Sequence, residues 1–181
     1  MEFNDVRLRY ENLRRLIDDA IGEVLRSGRY ILGPSVQALE REFSLYCGAT
    51  DAVAVGSGTD ALSIALRSIH VGPGDEVLVP AVSAAATVMA VVLAGARPVF
   101  VDVSPDDFNL DPVQCGERRT SRTKAVMPVH LYGMPARLEA ISKAGIPVIE
   151  DAAQAHGSEA GWGRCGSFGI AAAFSFYIAP P

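Results

Sequence analysis

A glycine-rich turn, a carboxylate closing an apolar run and a hydroxyl closing another are the residues here that could do chemistry together. Gly56-Ser57-Gly58-Thr59-Asp60-Ala61 follows a short apolar run and leads straight into a helical pattern. Glycines let the backbone approach an anion, a helix N-terminus offers unpaired N–H groups, and Ser57 and Thr59 add hydroxyls. The stretch therefore reads as a phosphate cup. The same residues spell G-x-G-x-x-A, a variant dinucleotide fingerprint, which keeps an NAD-linked oxidoreductase open as a reading. That reading asks for an acidic residue at the carboxyl end of the next strand. Pro80 stands there, while Asp75 and Glu76 sit at the amino end. A strand–turn–helix without a ligand is the plain alternative.

The second stretch is Glu150-Asp151-Ala152-Ala153-Gln154-Ala155-His156-Gly157, after the run Pro147-Val148-Ile149. Strand alternation turns Glu150 and Asp151 to opposite sides, and Asp151 stands where the chain leaves the sheet. An Asp there can cap a following turn of helix, bind Mg²⁺ or pair with a cationic ligand nitrogen. Gln154, one turn on, falls on the same side and could donate to the same ligand. Ser175 and Tyr177 close the last apolar run. His130 follows a strand at a ligand-facing position, His156 reads as a hydrogen-bonded structural residue, and His70 ends a helix. The sequence holds no G-x-S-x-G elbow, H-E-x-x-H pair or Walker loop, which removes those hydrolase classes.

Positioning these residues requires an alternation of strands and helices. Apolar positions Leu13, Leu16, Ile17, Ala20, Ile21, Val24 and Leu25 recur at helical spacing up to Ser27-Gly28. A second helix is expected from Pro34 to Gly48, with Leu39, Phe43 and Tyr46 on one face. Beyond it, short apolar runs predict strands at Ala52–Val55, Glu76–Val79, Pro98–Val101, Ala125–Val129, Pro147–Ile149 and Ala172–Phe176. Helices are expected at Asp60–Ile69, Ala84–Ala94, Pro112–Gly116 and Ala136–Ala144, with a turn or two after Asp151. Continuous apolar runs mark strands buried on both faces, hence a mostly parallel sheet covered by helices. Residues 1–50 read as an amino-terminal helical segment and 51–181 as the α/β sheet domain. In such sheets ligands sit beyond the carboxyl ends of the strands, where the cup, Asp151 and Ser175 fall.

Composition bounds the partners. The 181 residues are 49% hydrophobic and 20% charged, with 16 Lys and Arg against 21 Asp and Glu, a net charge of −5. That excludes intrinsic disorder and gives no electrostatic footprint for nucleic acid or an anionic membrane. Three cysteines without a C-x-x-C pair argue against a disulfide framework or a zinc site, so no metal is expected. Val77 to Ala96 is uncharged and long enough to span a bilayer. Pro80 interrupts it and its centre is Ala, Ser and Thr, so a buried strand followed by a small-residue helix is the reading adopted. The expected setting is soluble, reduced and cytoplasmic.

A phosphate cup, a strand-end Asp and a strand-end Ser are the parts a pyridoxal phosphate site needs. The chain resembles the amino-terminal half of the DegT–DnrJ–StrS type sugar aminotransferases, which are fold-type I pyridoxal phosphate enzymes. The resemblance runs through GRYILGPSVQALEREF, VGSGTDALSIAL, GPGDEVLVP, AGARPVFVDV, PVHLYG, VIEDAAQAHG and AAFSFY. It implies a three-layer α/β/α large domain with a mostly parallel sheet, truncated, the smaller carboxyl-terminal domain being absent. It also implies transfer of an amino group, usually from glutamate, onto a keto carbon of a nucleotide-linked sugar, by a homodimer. Residue by residue, Gly58 and Thr59 would hold the cofactor phosphate, with the Ser175 hydroxyl added. Asp151 would pair with the pyridine nitrogen, and Gln154 would reach the 3-oxygen of the ring.

Two departures from the family pattern carry expectations of their own. Where the family stacks an aromatic residue on the ring, this stretch reads Ser83-Ala84-Ala85-Ala86-Thr87, and Ala84 cannot stack. The Schiff-base lysine belongs three residues after Tyr177, at the position of Pro180. The only lysines are Lys124 and Lys143, so no catalytic residue is assigned. The chain as written is expected to be inactive, with a non-catalytic cofactor-binding or regulatory module as the alternative.

Overall fold

The structure, a computed structural model, describes residues 6–177. Helices α1 (Val6–Ser27) and α2 (Pro34–Cys47) open it. Pro34 starts α2 where a missing N–H costs nothing, and Gly48 ends it in the left-handed region at φ 76°. There follow α3 (Gly58–Ser68), β1 (Glu76–Pro80), α4 (Ala85–Leu93), β2 (Arg97–Val101), α5 (Pro112–Arg118) and β3 (Thr123–Val126). The remainder is α6 (Leu138–Ser142), β4 (Ile149–Asp151), the short hairpin β5 (Glu159–Ala160) and β6 (Gly163–Arg164), and β7 (Ala171–Ala173).

β1 pairs in parallel with β2 on one edge and β3 on the other, and β4 pairs in parallel with β7. Parallel bridges Val126–Val148 and Val129–Asp151 join the two groups. The order across the sheet is therefore β2-β1-β3-β4-β7. Alternation along β1 explains why all five of its residues are buried. Val77 and Val79 pack with Leu62 and Leu66 of α3 and Ala90 and Val91 of α4. Leu78 points the other way, into Cys115 of α5 and Leu138 and Ile141 of α6. A sheet with helices on both faces is the expected three-layer architecture, driest at β1 and less covered at the edge strand β2, where Phe100 is 51% exposed.

The structure departs from the sequence reading in four places. Ala52–Val55 is not a strand: no strand pairs with it among the described residues, and Val53 is 78% exposed. The strands expected at Ala125–Val129, Pro147–Ile149 and Ala172–Phe176 lie shifted, at Thr123–Val126, Ile149–Asp151 and Ala171–Ala173. No helix follows Asp151; the chain turns there instead. The β5–β6 hairpin was not expected, because its strands are two residues each and carry no apolar alternation. The Val77–Ala96 stretch divides into β1, α4 and the head of β2, and no helix among the described residues is long and apolar enough to cross a membrane.

Candidate functional site

Asp151 ends β4 at the carboxyl edge of the sheet and is only 4% exposed. Its Oδ2 accepts the Thr87 hydroxyl at 2.7 Å, and its Oδ1 accepts the Ala153 N–H at 3.3 Å. Thr87 is fully buried on α4, and its oxygen lies 2.7 Å from Ser83 Oγ. Since the Thr87 hydrogen goes to Asp151, Ser83 is the donor in that pair, and a chain Ser83–Thr87–Asp151 results. Among the described residues no Lys or Arg pairs with Asp151. Burial pushes its carboxyl above the usual range, against the lowering effect of the Thr87 and Ala153 hydrogen bonds and the His130 ring.

The glycine-rich turn caps α3. Ser57 Oγ accepts the Asp60 N–H at 3.1 Å and donates to Asp60 Oδ2 at 2.8 Å. The Ser57 hydroxyl, expected as part of the phosphate cup, is thus committed to the helix cap. The N–H groups of Gly58 and Thr59, in the first turn, keep no partner within the helix. Gly58 also marks a close approach: a Cβ there would stand 3.1 Å from Ser175 Cβ and 3.4 Å from its Oγ. Ser175 Oγ accepts the Tyr177 N–H at 3.2 Å. Because α3 packs against β4 and β7, the free N–H groups, Ser175 and Asp151 share one end of the sheet.

Gln154 is exposed, and its Oε1 accepts the N–H of Tyr132 at 2.8 Å, which leaves its NH₂ free to donate. Tyr132 itself sits in the left-handed region at φ 52°. Ala84 is exposed at the start of α4, one residue from Ser83. Lys124 lies at the amino end of β3, and Lys143 precedes β4. Both therefore occupy the end of the parallel sheet away from Asp151. Pro180, at the position where the family lysine is expected, lies outside the described residues.

His130 does not face a ligand. It is fully buried on the other side of β4, with Nε2 2.9 Å from Glu150 Oε2 and Nδ1 accepting the Ala136 N–H at 2.9 Å. An accepting Nδ1 puts the ring hydrogen on Nε2, which donates to Glu150. Glu150 also accepts from the N–H groups of Gly166, Phe168 and Gly169. Burial alone would raise its carboxyl, but the His130, Gly169 and Gly166 hydrogen bonds outweigh it and hold it below the usual range. His156 is held by rings rather than hydrogen bonds, 5.2 Å from both Phe174 and Phe176, and burial lowers its pKa.

Thr87, Ser83 and Glu150 are the residues that reading the sequence missed. Ser83 and Thr87 follow β1 at a spacing of i, i+4 on a helix start, which was the available signal. Glu150 gave none, since its partners lie sixteen or more residues away. Among the described residues no group of three or more His, Cys, Asp or Glu is placed to hold a metal ion.

The model of the DegT/DnrJ/EryC1/StrS aminotransferase family matches residues 11–179. The dTDP-3-amino-3,4,6-trideoxy-alpha-D-glucose transaminase of Streptomyces venezuelae is 47% identical over 179 residues, 97% of this chain and 47% of that protein. The crystal structure of S. venezuelae DesV in complex with a ketimine intermediate superposes with a TM-score of 0.94 at 47% identity, covering 97% of this chain and 48% of that one. NtdA of Bacillus subtilis with bound cofactor PMP superposes with a TM-score of 0.73 at 36% identity, covering 86% of this chain and 34% of that one. The chain thus spans about half the length of the curated relatives it matches.

Proposed function

The chain belongs to the DegT/DnrJ/EryC1/StrS aminotransferase family, and from that we propose that it is the cofactor-holding half of a pyridoxal phosphate-dependent sugar aminotransferase. The reaction proposed is transfer of an amino group, with glutamate as donor, onto a keto carbon of a nucleotide-linked sugar, in a cytoplasmic homodimer.

The observation that carries this reading is Asp151, a carboxylate 4% exposed that has hydrogen-bond donors but no cation among the described residues. A buried charge of that kind is costly unless something of opposite sign meets it. A protonated ring nitrogen of a ligand would do so. The cup fits the other end of such a cofactor: two unpaired helix N–H groups meet the Ser175 hydroxyl where Gly58 leaves room. Asp60, whose carboxylate is tied to Ser57, opposes an anion there, and Ala84 offers no ring to stack on. Bound pyridoxal phosphate supplies an electron sink at the reacting carbon.

The chain's own residues do the rest. Gly58 and Thr59 present N–H groups to the phosphate, and Ser175 adds its hydroxyl. Asp151 keeps a proton on the ring nitrogen and Thr87 fixes the carboxylate that does so. Gln154 donates toward the 3-oxygen, its own oxygen anchored by Tyr132.

Titration of the 181-residue chain with pyridoxal phosphate, followed by cofactor absorbance, tests the reading. Binding is expected, with no cofactor mass fixed on the polypeptide by borohydride, since Lys124 and Lys143 lie at the other end of the sheet. Asp151→Asn should weaken binding about tenfold or more, the scale of one charge-assisted hydrogen bond, and shift the spectrum. Tight NADH binding without pyridoxal phosphate binding, or an Asp151→Asn variant with unchanged affinity and spectrum, would overturn it.

A further inference from the structure

We propose that Glu150 and His130 are positioning residues, a buried pair that sets where the two flanks of the cofactor site, Ser175 and Gln154, stand relative to Asp151. The ligand concerned is the one proposed above, on which this role rests, whereas the hydrogen bonds that carry it are the chain's own.

Ser175 follows β7, and β7 cannot choose its own register. The strand is Ala171–Ala173, three identical side chains, so a slip of one residue along β4 exchanges alanine for alanine. Such a slip would still carry Ser175 about 3.3 Å along the sheet and turn its hydroxyl to the other face. Register must therefore be fixed outside the strand, and Glu150 is placed to fix it. Its Oε1 accepts the N–H groups of Phe168 at 2.9 Å and Gly169 at 2.7 Å, and its Oε2 accepts that of Gly166 at 2.7 Å. Gly166, at φ 92°, also leaves room for the ring of Phe174, the residue before Ser175. With this clamp closed Ala173 pairs with Asp151, and its oxygen accepts the Ala152 N–H at 2.9 Å.

Gln154 is set from the other side of the pair. His130 Nδ1 accepts the Ala136 N–H at 2.9 Å and so closes the turn 131–135, while the His130 main-chain N–H donates to Asp151 O at 3.0 Å. Asn109, 1% exposed, braces the same turn by donating to Met134 O at 3.2 Å. Within the turn Tyr132 is held at φ 52°, a costly conformation for a side chain of that size. Its N–H donates to Gln154 Oε1 at 2.8 Å. A main-chain N–H can meet only the oxygen of an amide, so the turn decides which way Gln154 faces and keeps its NH₂ for the ligand.

An inventory of donors shows why the pair needs a carboxylate. His130 Nε2, 2.9 Å from Glu150 Oε2, and three N–H groups all donate to Glu150. Only a group that accepts at both oxygens satisfies them. A glutamine would present its NH₂ either to His130 and Gly166 or to Phe168 and Gly169, donor against donor. Glu150→Gln must therefore release one half of the clamp.

Amide hydrogen exchange of the full 181-residue chain without cofactor, and binding of two probes, pyridoxal 5′-phosphate and pyridoxal, test the pair. In the parent, the Gly166, Phe168 and Gly169 amides should share the protection of the Ala152 amide to within about threefold, clamp and β7 pairing opening as one unit. Glu150→Gln should quicken Ala152 exchange at least about tenfold. It should also reduce the preference for pyridoxal 5′-phosphate over pyridoxal about fivefold, the scale of one lost hydrogen bond, because Ser175 meets the phosphate end. His130→Phe leaves Glu150 its three N–H donors, so it should keep that preference and instead shift the absorbance of bound pyridoxal 5′-phosphate through Gln154. Clamp amides that exchange freely while Ala152 stays protected would overturn the proposal, even if Glu150→Gln failed to fold. Equal weakening of both probes by Glu150→Gln, as a merely stabilising residue would give, or an unshifted spectrum in His130→Phe would overturn it too. A parent that binds neither probe would overturn the function proposed above, and the exchange result would then decide the register role by itself.

Discussion

Glu150 and Asp151 are neighbours on β4, equally buried, and opposite in circumstance. Glu150 faces the α5–α6 side, where four donors converge on its carboxylate: the His130 ring and the N–H groups of Gly166, Phe168 and Gly169. Asp151 faces the carboxyl end of the sheet with two donors and, among the described residues, no cation. Burial acts against the charged form of both. Hydrogen bonds outweigh it at Glu150, whose pKa is lowered, and do not at Asp151, whose pKa is raised. On one side of the strand the fold satisfies the carboxylate, and on the other it leaves Asp151 without a cation among the described residues. The contrast teaches that buried charge marks a candidate site only where its satisfaction is incomplete.

The largest expected effect comes from breaking the finished side. Glu150→Ala strands the fully buried His130 ring hydrogen and three half-buried backbone N–H groups, and should cost about 3–5 kcal/mol. Urea denaturation measures it. A loss below about 1 kcal/mol would dissolve the comparison, because Glu150 would then be no better supported than its neighbour.

A smaller effect sharpens the contrast through pH. Asp151 has a folded pKa above its unfolded value, so its ionisation opposes folding. Its contribution is intact below the ordinary Asp range and is lost as pH rises through the raised pKa. Glu150 has a folded pKa below its unfolded value. Its contribution is present above the ordinary Glu range and is lost as pH falls through the lowered pKa. Without cofactor, the stability of Asp151→Asn relative to the parent should therefore rise as pH rises from acid to neutral. Melting curves of both chains across that range check the sign; a difference that stays constant or moves the other way would contradict the raised pKa.

The smallest expected effect tests the link between Asp151 and α4. Thr87→Val keeps the shape of a fully buried side chain but removes the hydroxyl that donates to Asp151. It should cost about 1 kcal/mol and weaken pyridoxal phosphate binding a few-fold. Equal binding by parent and variant would show that Asp151 needs no orienting donor.

Local signals carried much of the fold. Pro34 and Gly48 bracket α2 because the fixed φ of one and the left-handed tolerance of the other are properties of single residues. The apolar run at Glu76–Val79 is a buried strand, as its continuous hydrophobicity implied, whereas Pro98–Val101 is a strand buried only at Val101, because it lies at the sheet edge with Phe100 51% exposed. Asp151 was legible because it ends a strand, and Gly58 and Thr59 because a glycine-rich turn meets a helix. The run Ala52–Val55 has strand composition, yet pairing requires a neighbour, and none of the described residues provides one. His130 illustrates the same boundary. Its position after a strand suggested a ligand, and its orientation toward Glu150 emerged only from twenty residues of intervening chain folding back.

The sequence by itself determined where most of the helices and the strands β1 and β2 lie, and that a glycine-rich turn, a carboxylate and a hydroxyl gather at one end of a parallel sheet. Those features follow from local periodicity, from turn chemistry and from the rule that parallel strands present their carboxyl ends together. The tertiary structure alone decided which of two adjacent carboxylates is satisfied, which hydroxyl orients Asp151, and that β7 pairs with β4 alone among the described residues. Each of those depends on atoms brought together from distant parts of the chain, where burial strengthens every unmet polar group and no short stretch of residues records the outcome.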